Sequence, residues 1–405
     1  MRKFKILIKY VLYYSINFII KILAFLLLKR RGGDIPHGRI KRILIYGTTG
    51  IGNMVLLTPT IKALRHHFPQ AQIILLFFNQ KGASEVLMGS NLIDGTIVCN
   101  VHNIMPLIKL LQKIKKWKPD LIIARYNNNN ILNALVTVAA ASTYRIGHVP
   151  EAPHKRSFNH LYNYPVKMNI NEHEMDTYLS LLQPLGIFAK DRKTVFHTNN
   201  EDDIVAEEFL KKNGVQNNAF ITMQLGTSYL QHWKRWDTKN SSKLIECLLA
   251  QNINIVMVGS PEEEAMTRKA LSSLTVNPVF ATGRLTLKQS AAVIKRSRLL
   301  ICHDSGLMHI AAAFEIPVVA IFGPTSPLRN GPQGFGHTII RKDLPCSPCY
   351  PSGKKLNVKN CKSKICLESV EVQDVLEAVI KKLQPAYPLR QKGNSPEDQN
   401  SYLLA

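Results

Sequence analysis

Short apolar runs alternate with amphipathic stretches along most of the chain. In the first half, residues 40–46, 71–78, 95–99 and 121–124 are runs of this kind. In the second half they are residues 220–224, 253–258, 278–280, 299–302 and 318–322. Runs this short, rich in Ile, Val, Leu and Phe and bounded by Gly, Pro or Asn, read as strands buried on both faces, with helices between them. Strands buried on both faces belong to parallel sheets covered by helices on each side. The pattern therefore predicts an α/β protein with two doubly wound domains. The composition turns polar over residues 190–203, which places the boundary between a domain of residues 34–195 and one of residues 196–385. A polar tail occupies residues 386–405.

The N-terminal 33 residues follow a different pattern. Residues 4–28 are almost continuously apolar, interrupted by Lys9 and Lys21. On a helical period Lys5, Lys9, Asn17 and Lys21 gather on one side, and Phe4, Ile8, Val11, Phe18 and Ile22 lie opposite. Lys21 at mid-bilayer would cost about 2.5–3.5 kcal/mol, and Arg2, Lys3, Lys29, Arg30 and Arg31 make both flanks basic. The segment is expected to lie in or shallowly enter an anionic membrane surface, as an anchor the fold does not need. A helix of the domain core is the alternative. Gly32 and Gly33 read as a linker.

Residues 299–325 carry the most chemistry. An apolar run ends in Asp304-Ser305-Gly306, an Ala-rich helical segment follows, and a second apolar run ends in Phe322-Gly323-Pro324-Thr325. Ser305 and Gly306 stand where the helix opens. Unbonded N–H groups and the positive end of the dipole favour an anion there, a diphosphate above all. His309, one turn on, is able to face the same crevice. A plainly capped core helix fits the same letters. The run at residues 220–224 leads into Thr227 and Ser228, then Lys234 and Arg235, whose hydroxyls and cations suit a diphosphate leaving group. Asp237 is placed to cap the next helix.

The first predicted strand ends in Gly47-Thr48-Thr49-Gly50-Ile51-Gly52-Asn53. No acidic residue closes the following strand and no Gly-Lys-Ser/Thr is present, which excludes a dinucleotide fingerprint and a P-loop.

These stretches together resemble glycosyltransferase family nine, the ADP-heptose:lipopolysaccharide heptosyltransferases. The resemblance rests on Asp304-Ser305-Gly306, His309 and the Phe-Gly-Pro-Thr of residues 322–325, and extends over residues 42–379. It implies a GT-B arrangement, two Rossmann-like domains facing across a cleft. It implies an N-terminal acceptor domain with Gly50 and Gly52 in its loop, and a C-terminal donor domain. In that domain Thr227, Ser228, Lys234, Arg235, Asp304, Ser305, Gly306 and His309 hold the nucleotide sugar, and the Gly259–Glu264 loop brings a carboxylate near the nucleoside; Glu262, Glu263 and Glu264 are all open to that role, with Glu263 taken as the candidate. Asn53 stands where the family usually has the Asp that acts as base. With no carboxylate between residues 40 and 80, His148 is the first substitute considered.

The chain has 405 residues and a formal charge of +24. A charge of that size calls for an anionic partner. RNA-binding aromatic patterns and zinc-finger spacings are missing, so phosphorylated substrates and an anionic membrane are favoured and nucleic acid is not. Of seven cysteines, Cys99, Cys247 and Cys302 lie in apolar surroundings like buried thiols, and Cys346, Cys349, Cys361 and Cys366 cluster downstream. Their spacing permits zinc, but reduced or bridged thiols are expected and no metal or other cofactor is assigned.

The expected function is an inverting, metal-independent transfer of heptose from an ADP-heptose-type donor to a lipopolysaccharide core or related glycan. Asn53 and Lys234 are its catalytic candidates, and the site is expected at the cytoplasmic face of the inner membrane. A catalytically weak or inactive membrane-bound nucleotide-sugar- or glycan-binding protein, a GT-B transferase for another nucleotide sugar, and a GT-B sugar epimerase are the alternatives.

Overall fold

A computed structural model describes residues 2–28, 33–125, 131–150, 158–350, 361 and 363–384. The chain divides into two compact units, Met1–Arg192 and Lys193–Ala405. The basic flank at residues 29–31, Gly32 and the tail at residues 386–405 lie outside the described residues.

In the first unit α1 (Arg2–Leu27) precedes β1 (Arg42–Tyr46), α2 (Ile51–His67), β2 (Gln72–Phe78), the single turn α3 (Lys81–Ser84) and β3 (Gly95–Cys99). Then come α4 (Ile104–Trp117), β4 (Leu121–Ala124), α5 (Ile131–Ala140), β5 (Tyr144–Val149), β6 (Tyr164–Lys167) and α6 (Glu174–Ser180). The six strands are parallel in the order β3-β2-β1-β4-β5-β6. Chain direction across the sheet reverses between β1 and β4, which pair with Ile43 opposite Leu121. Right-handed crossovers therefore put α2 and α3 on one face and α4 and α5 on the other. Ile43, Leu44 and Ile45 are all buried, as a strand covered on both faces requires. Gly47 ends β1 where a Cβ would stand 2.1 Å from the Phe77 ring, so only glycine passes. β6 was not expected from the sequence; its four residues, Tyr-Pro-Val-Lys, carry too little pattern.

The N-terminal helix forms, but the expectation of an anchor separable from the fold is corrected. Asn17, Ile20, Ala24 and Leu28 are buried, the last three in a cluster with Ala134, Val138, Phe158 and Leu161. That spacing is one helical face, packed on α5. At this end Asn17 turns inward, where its Oδ1 has no hydrogen-bond partner among the described residues, while Phe18, Lys21 and Ile22 face out. Among the described residues no helix is long and apolar enough to cross a membrane.

The second unit runs α7 (Asn200–Lys212), β7 (Phe220–Met223), α8 (Thr238–Ala250), β8 (Asn254–Met257), α9 (Glu264–Leu271), β9 (Val279–Phe280) and α10 (Leu287–Lys295). It continues with β10 (Leu300–His303), α11 (Gly306–Ala313), β11 (Val318–Ile321), the turn α12 (Pro327–Asn330), β12 (Thr338–Ile340), α13 (Ile365–Glu368) and α14 (Val372–Leu383). Its parallel sheet has the order β12-β11-β10-β7-β8-β9, so the reversal falls between β7 and β10. Met223, Ile301 and Val319 from the sheet meet Leu244 and Leu248 of α8 and Val375 and Val379 of α14 in one core. The described part of the chain closes with two helices, α13 and α14, separated by residues 369–371. Glu371 starts α14 with a reciprocal cap to Asp374, and the Trp236 indole donates to Val370 O at 2.9 Å in the gap.

Candidate active site

Open parallel sheets bind ligands beyond the carboxyl ends of their strands, where strand order reverses. In the second unit that point lies past β7 and β10. The segment after β7 supplies Gln224, Gly226, Thr227 and Ser228; the segment after β10 supplies Asp304, Ser305 and Gly306. A 3₁₀ turn at Tyr229–Lys234 brings a third segment over them. Lys234 Nζ lies 2.7 Å from Asp304 Oδ2, and both side chains are under one-tenth exposed. The ammonium also sits 5.5 Å from the centre of the Trp233 ring. Arg235 folds back on the loop after β7, donating from Nε to Thr227 Oγ1 at 3.2 Å and from Nη2 to Thr227 O at 2.9 Å.

His303 and Trp236 hold this segment to β10. His303 Nε2 accepts from the Trp236 backbone N–H at 3.0 Å. Burial pushes the imidazole down to about 4, so it is neutral at physiological pH and able to accept. Asp237 caps α8 through the Lys239 N–H at 2.7 Å.

Of the three glutamates after β8, the structure selects Glu263. Glu262 is exposed and Glu264 pairs with Arg268, while Glu263 is buried. Gly226 and Gly259 make room for it: a Cβ at either would stand 2.2 Å from the carboxylate. Gln224 Nε2 donates to both its oxygens, at 3.0 and 3.2 Å, and the Ser260 N–H donates to Oε2 at 3.3 Å. Gln224 Oε1 in turn accepts from Ser305 Oγ at 2.7 Å. A continuous chain, Ser305 to Gln224 to Glu263, thus links the anion turn to the carboxylate loop. Burial is the largest influence on Glu263 and pushes its carboxyl up to about 7.

Not every candidate faces the crevice. The Thr227 hydroxyl is buried and donates to Gln231 O at 2.9 Å, which makes it an organiser of the loop, whereas Ser228 is exposed. Ser305 opens α11 without capping it, because its hydroxyl is committed to Gln224. His309 is buried one turn into α11. Gln224 was missed from sequence, as were the roles of His303 and Gly226. Gln224 as the one polar residue closing an apolar run was the available signal.

In the first unit the loop after β1 enters α2 through Gly50, whose φ of +103° suits only glycine. Gly52 and Asn53 form the first turn of α2, and Asn53 Nδ2 donates to Thr49 O at 3.2 Å, closing the loop. His148 is corrected as a substitute base: it is fully buried in β5, its Nε2 lies 3.2 Å from Ser180 Oγ, and burial pushes its imidazole down to about 4. Past the end of β4, Arg125 pairs with the buried Glu174 and lies 5.1 Å from the Tyr178 ring centre. Cys99 and Cys302 are buried and Cys247 is half-buried, as their apolar surroundings suggest. Among the described residues no group of three or more His, Cys, Asp or Glu is arranged to hold a metal.

Two parallel sheets of Rossmann order, one with the Lys234–Asp304 pair and a helix-opening turn at its reversal, define a GT-B-like α/β protein. Residues 107–359 match the family model of glycosyltransferase family 9 (heptosyltransferase), and the chain belongs to that family and is a glycosyltransferase. It is 25% identical over 293 residues to lipopolysaccharide heptosyltransferase 3 of Escherichia coli, covering 68% of this chain and 81% of that one. Its fold is similar to a family 9 glycosyl transferase from Veillonella parvula, with a TM-score of 0.70 and 22% identity over 84% of this chain and 97% of that one. It is also similar to the ADP-heptose lipopolysaccharide heptosyltransferase II of Escherichia coli, at 0.66 and 18% over 84% and 98%.

Proposed function

We propose that this glycosyltransferase moves a heptose, with inversion, from an ADP-heptose-type donor to a lipopolysaccharide core or related anionic glycolipid. The pairing of Lys234 with the Asp304–Ser305–Gly306 turn carries the proposal, because it sets a buried cation beside free helix N–H groups where a diphosphate fits. In the reaction the bond from the sugar's anomeric carbon to the diphosphate oxygen breaks, and the acceptor oxygen bonds from the opposite face. The hydroxyl proton passes to a base, and the ADP leaves with the electron pair. Lys234 and the turn offset the charge that grows on the diphosphate, a task that needs no metal when the cation is already in place. Glu263, buried beside the anion turn and linked to it through Gln224, is assigned the nucleoside side of the donor. The work is done at the cytoplasmic face of the inner membrane, with the protein held peripherally; the acceptor's lipid and the charge of +24 support that placement.

Asn53 favours a second reading, a protein that binds donor or glycan with little turnover, since an amide is not a base. One experiment addresses both. The purified chain is incubated with ADP-heptose and a heptose-deficient core acceptor, and the product is weighed by mass spectrometry, while thermal shift is scored over a panel of nucleotide sugars. Transfer with ADP-heptose is expected. Stabilisation by ADP-heptose without transfer or hydrolysis supports the second reading, and no response to any adenine nucleotide sugar overturns both.

A further inference from the structure

On one face of the first sheet, α5 lies between α4 and α1 and packs on both. The outer surface of this layer plays no part in the transfer just described. On α1 the buried line is Asn17, Ile20, Ala24 and Leu28, and almost everything else from residue 18 onward is exposed and apolar: Phe18 is 65%, Phe25 74% and Leu26 69% exposed. A helix that buries Asn17 with Ile20, Ala24 and Leu28 and exposes two phenylalanines carries apolar groups on both faces, one of them turned away from its own domain. On α4 Leu107, Leu110 and Ile114 face inward, while Ile104 is 68% and Met105 53% exposed, with Ile108 beside them. Lys109, Lys113, Lys115 and Lys116 occupy exposed positions along the rest of that helix.

The charge on this layer has one sign. Lys21 of α1 and Lys109, Lys113, Lys115 and Lys116 of α4 are exposed, and neither helix nor α5 contains an acidic residue. Exposed aliphatic and aromatic groups among like cations suit a bilayer with anionic headgroups. Nucleic acid would match the charge and leave the apolar groups in water. A second copy of the chain would match the apolar groups but set like charges against one another.

We propose that the outer faces of α1 and α4 together form a docking surface for an anionic lipid bilayer. The apolar side chains enter the headgroup–acyl boundary and the lysines meet lipid phosphates. The apolar end of α4 is its start, just past the end of β3, on the carboxyl-end side of the parallel sheet, where the Gly50–Asn53 loop also follows β1. Docking there keeps that side at the interface. This deepens the function proposed above and rests on it only for where the acceptor lies.

The test is co-sedimentation of the full chain with vesicles of phosphatidylcholine alone or of equal parts phosphatidylcholine and phosphatidylglycerol. ADP affinity is measured in parallel. Two variants, Ile104→Ser with Met105→Ser and Lys109→Glu with Lys113→Glu, alter only exposed positions of α4. The wild type is expected to bind the anionic vesicles and not the neutral ones. Each variant is expected to bind them at least about tenfold more weakly, with ADP affinity unchanged. Variants that bind like wild type, equal binding to neutral vesicles, or a vesicle-independent dimer that either α4 variant abolishes would each overturn the proposal. Loss of transfer by a chain that still docks as described refutes the proposed reaction instead, so the two ideas fail separately.

Discussion

Lys234 and Asp304 meet as an ion pair 2.7 Å apart with both side chains buried, although 70 residues separate them. The pair joins the loop over the site to the turn that opens α11. A diphosphate entering beside it brings further negative charge, so Lys234 must serve Asp304 and phosphate together.

Lys234→Ala is expected to weaken ADP binding by about 1.5–3 kcal/mol, the range for a hydrogen bond to a charged group. It should also lower thermal stability, because Asp304 is left buried without its partner. Calorimetry reads the first effect and a melting curve in the absence of ligand reads the second. An unchanged Kd removes Lys234 from the donor site even if the melting temperature falls.

Glu263 makes stability depend on pH in an uncommon direction. Its folded-state carboxyl is raised from 4.5 to about 7, so between those values the folded chain holds a proton that the unfolded chain has lost. Stability from this group is therefore present in acid and declines as pH rises from about 4.5 through 7. Glu263→Gln should remove that decline, and the difference in melting temperature between variant and wild type should grow in the variant's favour across the window. A constant difference from pH 4.5 to 8 means the carboxyl titrates normally.

Gly226→Ala places a methyl 2.2 Å from the Glu263 carboxyl carbon. Crowding of this kind costs about 1–3 kcal/mol. Because Glu263 must move to relieve it, affinity for ADP-heptose should fall together with stability. If the variant melts like wild type, Glu263 occupies another position in solution.

Asn53 holds its loop by donating to Thr49 O, which a carboxylate at that position has no proton to do. Asn53→Ala is expected to raise KM for the acceptor, and Asn53→Asp to give less than the roughly 10²–10⁴-fold gain of a restored general base. Rate against pH for each variant decides the matter. Should Ala match wild type while Asp speeds turnover a hundredfold, Asn53 is a lost base and not a positioning residue.

Removing residues 1–33 strips the cover from Ala134, Val138, Phe158 and Leu161. Large apolar groups returned to water cost about 1.5–3 kcal/mol each, so this deletion should destabilise the first unit and promote aggregation. A melting curve for the deleted chain equal to that of the full chain would show that the packing of α1 on α5 contributes little.

Sequence alone was enough to place most strands, since a strand buried on both faces must be apolar throughout and its ends must turn. It was also enough to mark the Asp304–His309 turn and the cations at residues 234 and 235, because spacing along one helix or loop is a local property. Gln224 escaped notice because its significance lies in two partners, Ser305 and Glu263, that reach it from distant segments. Tertiary structure alone decided which of three adjacent glutamates turns inward, through the two glycines that leave it room. It decided that His148 is buried and unsuited as a base, since a histidine at the end of an apolar run shows nothing of what packs on it. It decided also that Asn17 faces the domain and Phe18 faces away. Helical periodicity groups residues on a face, but only the neighbour that covers one side determines which face is inside.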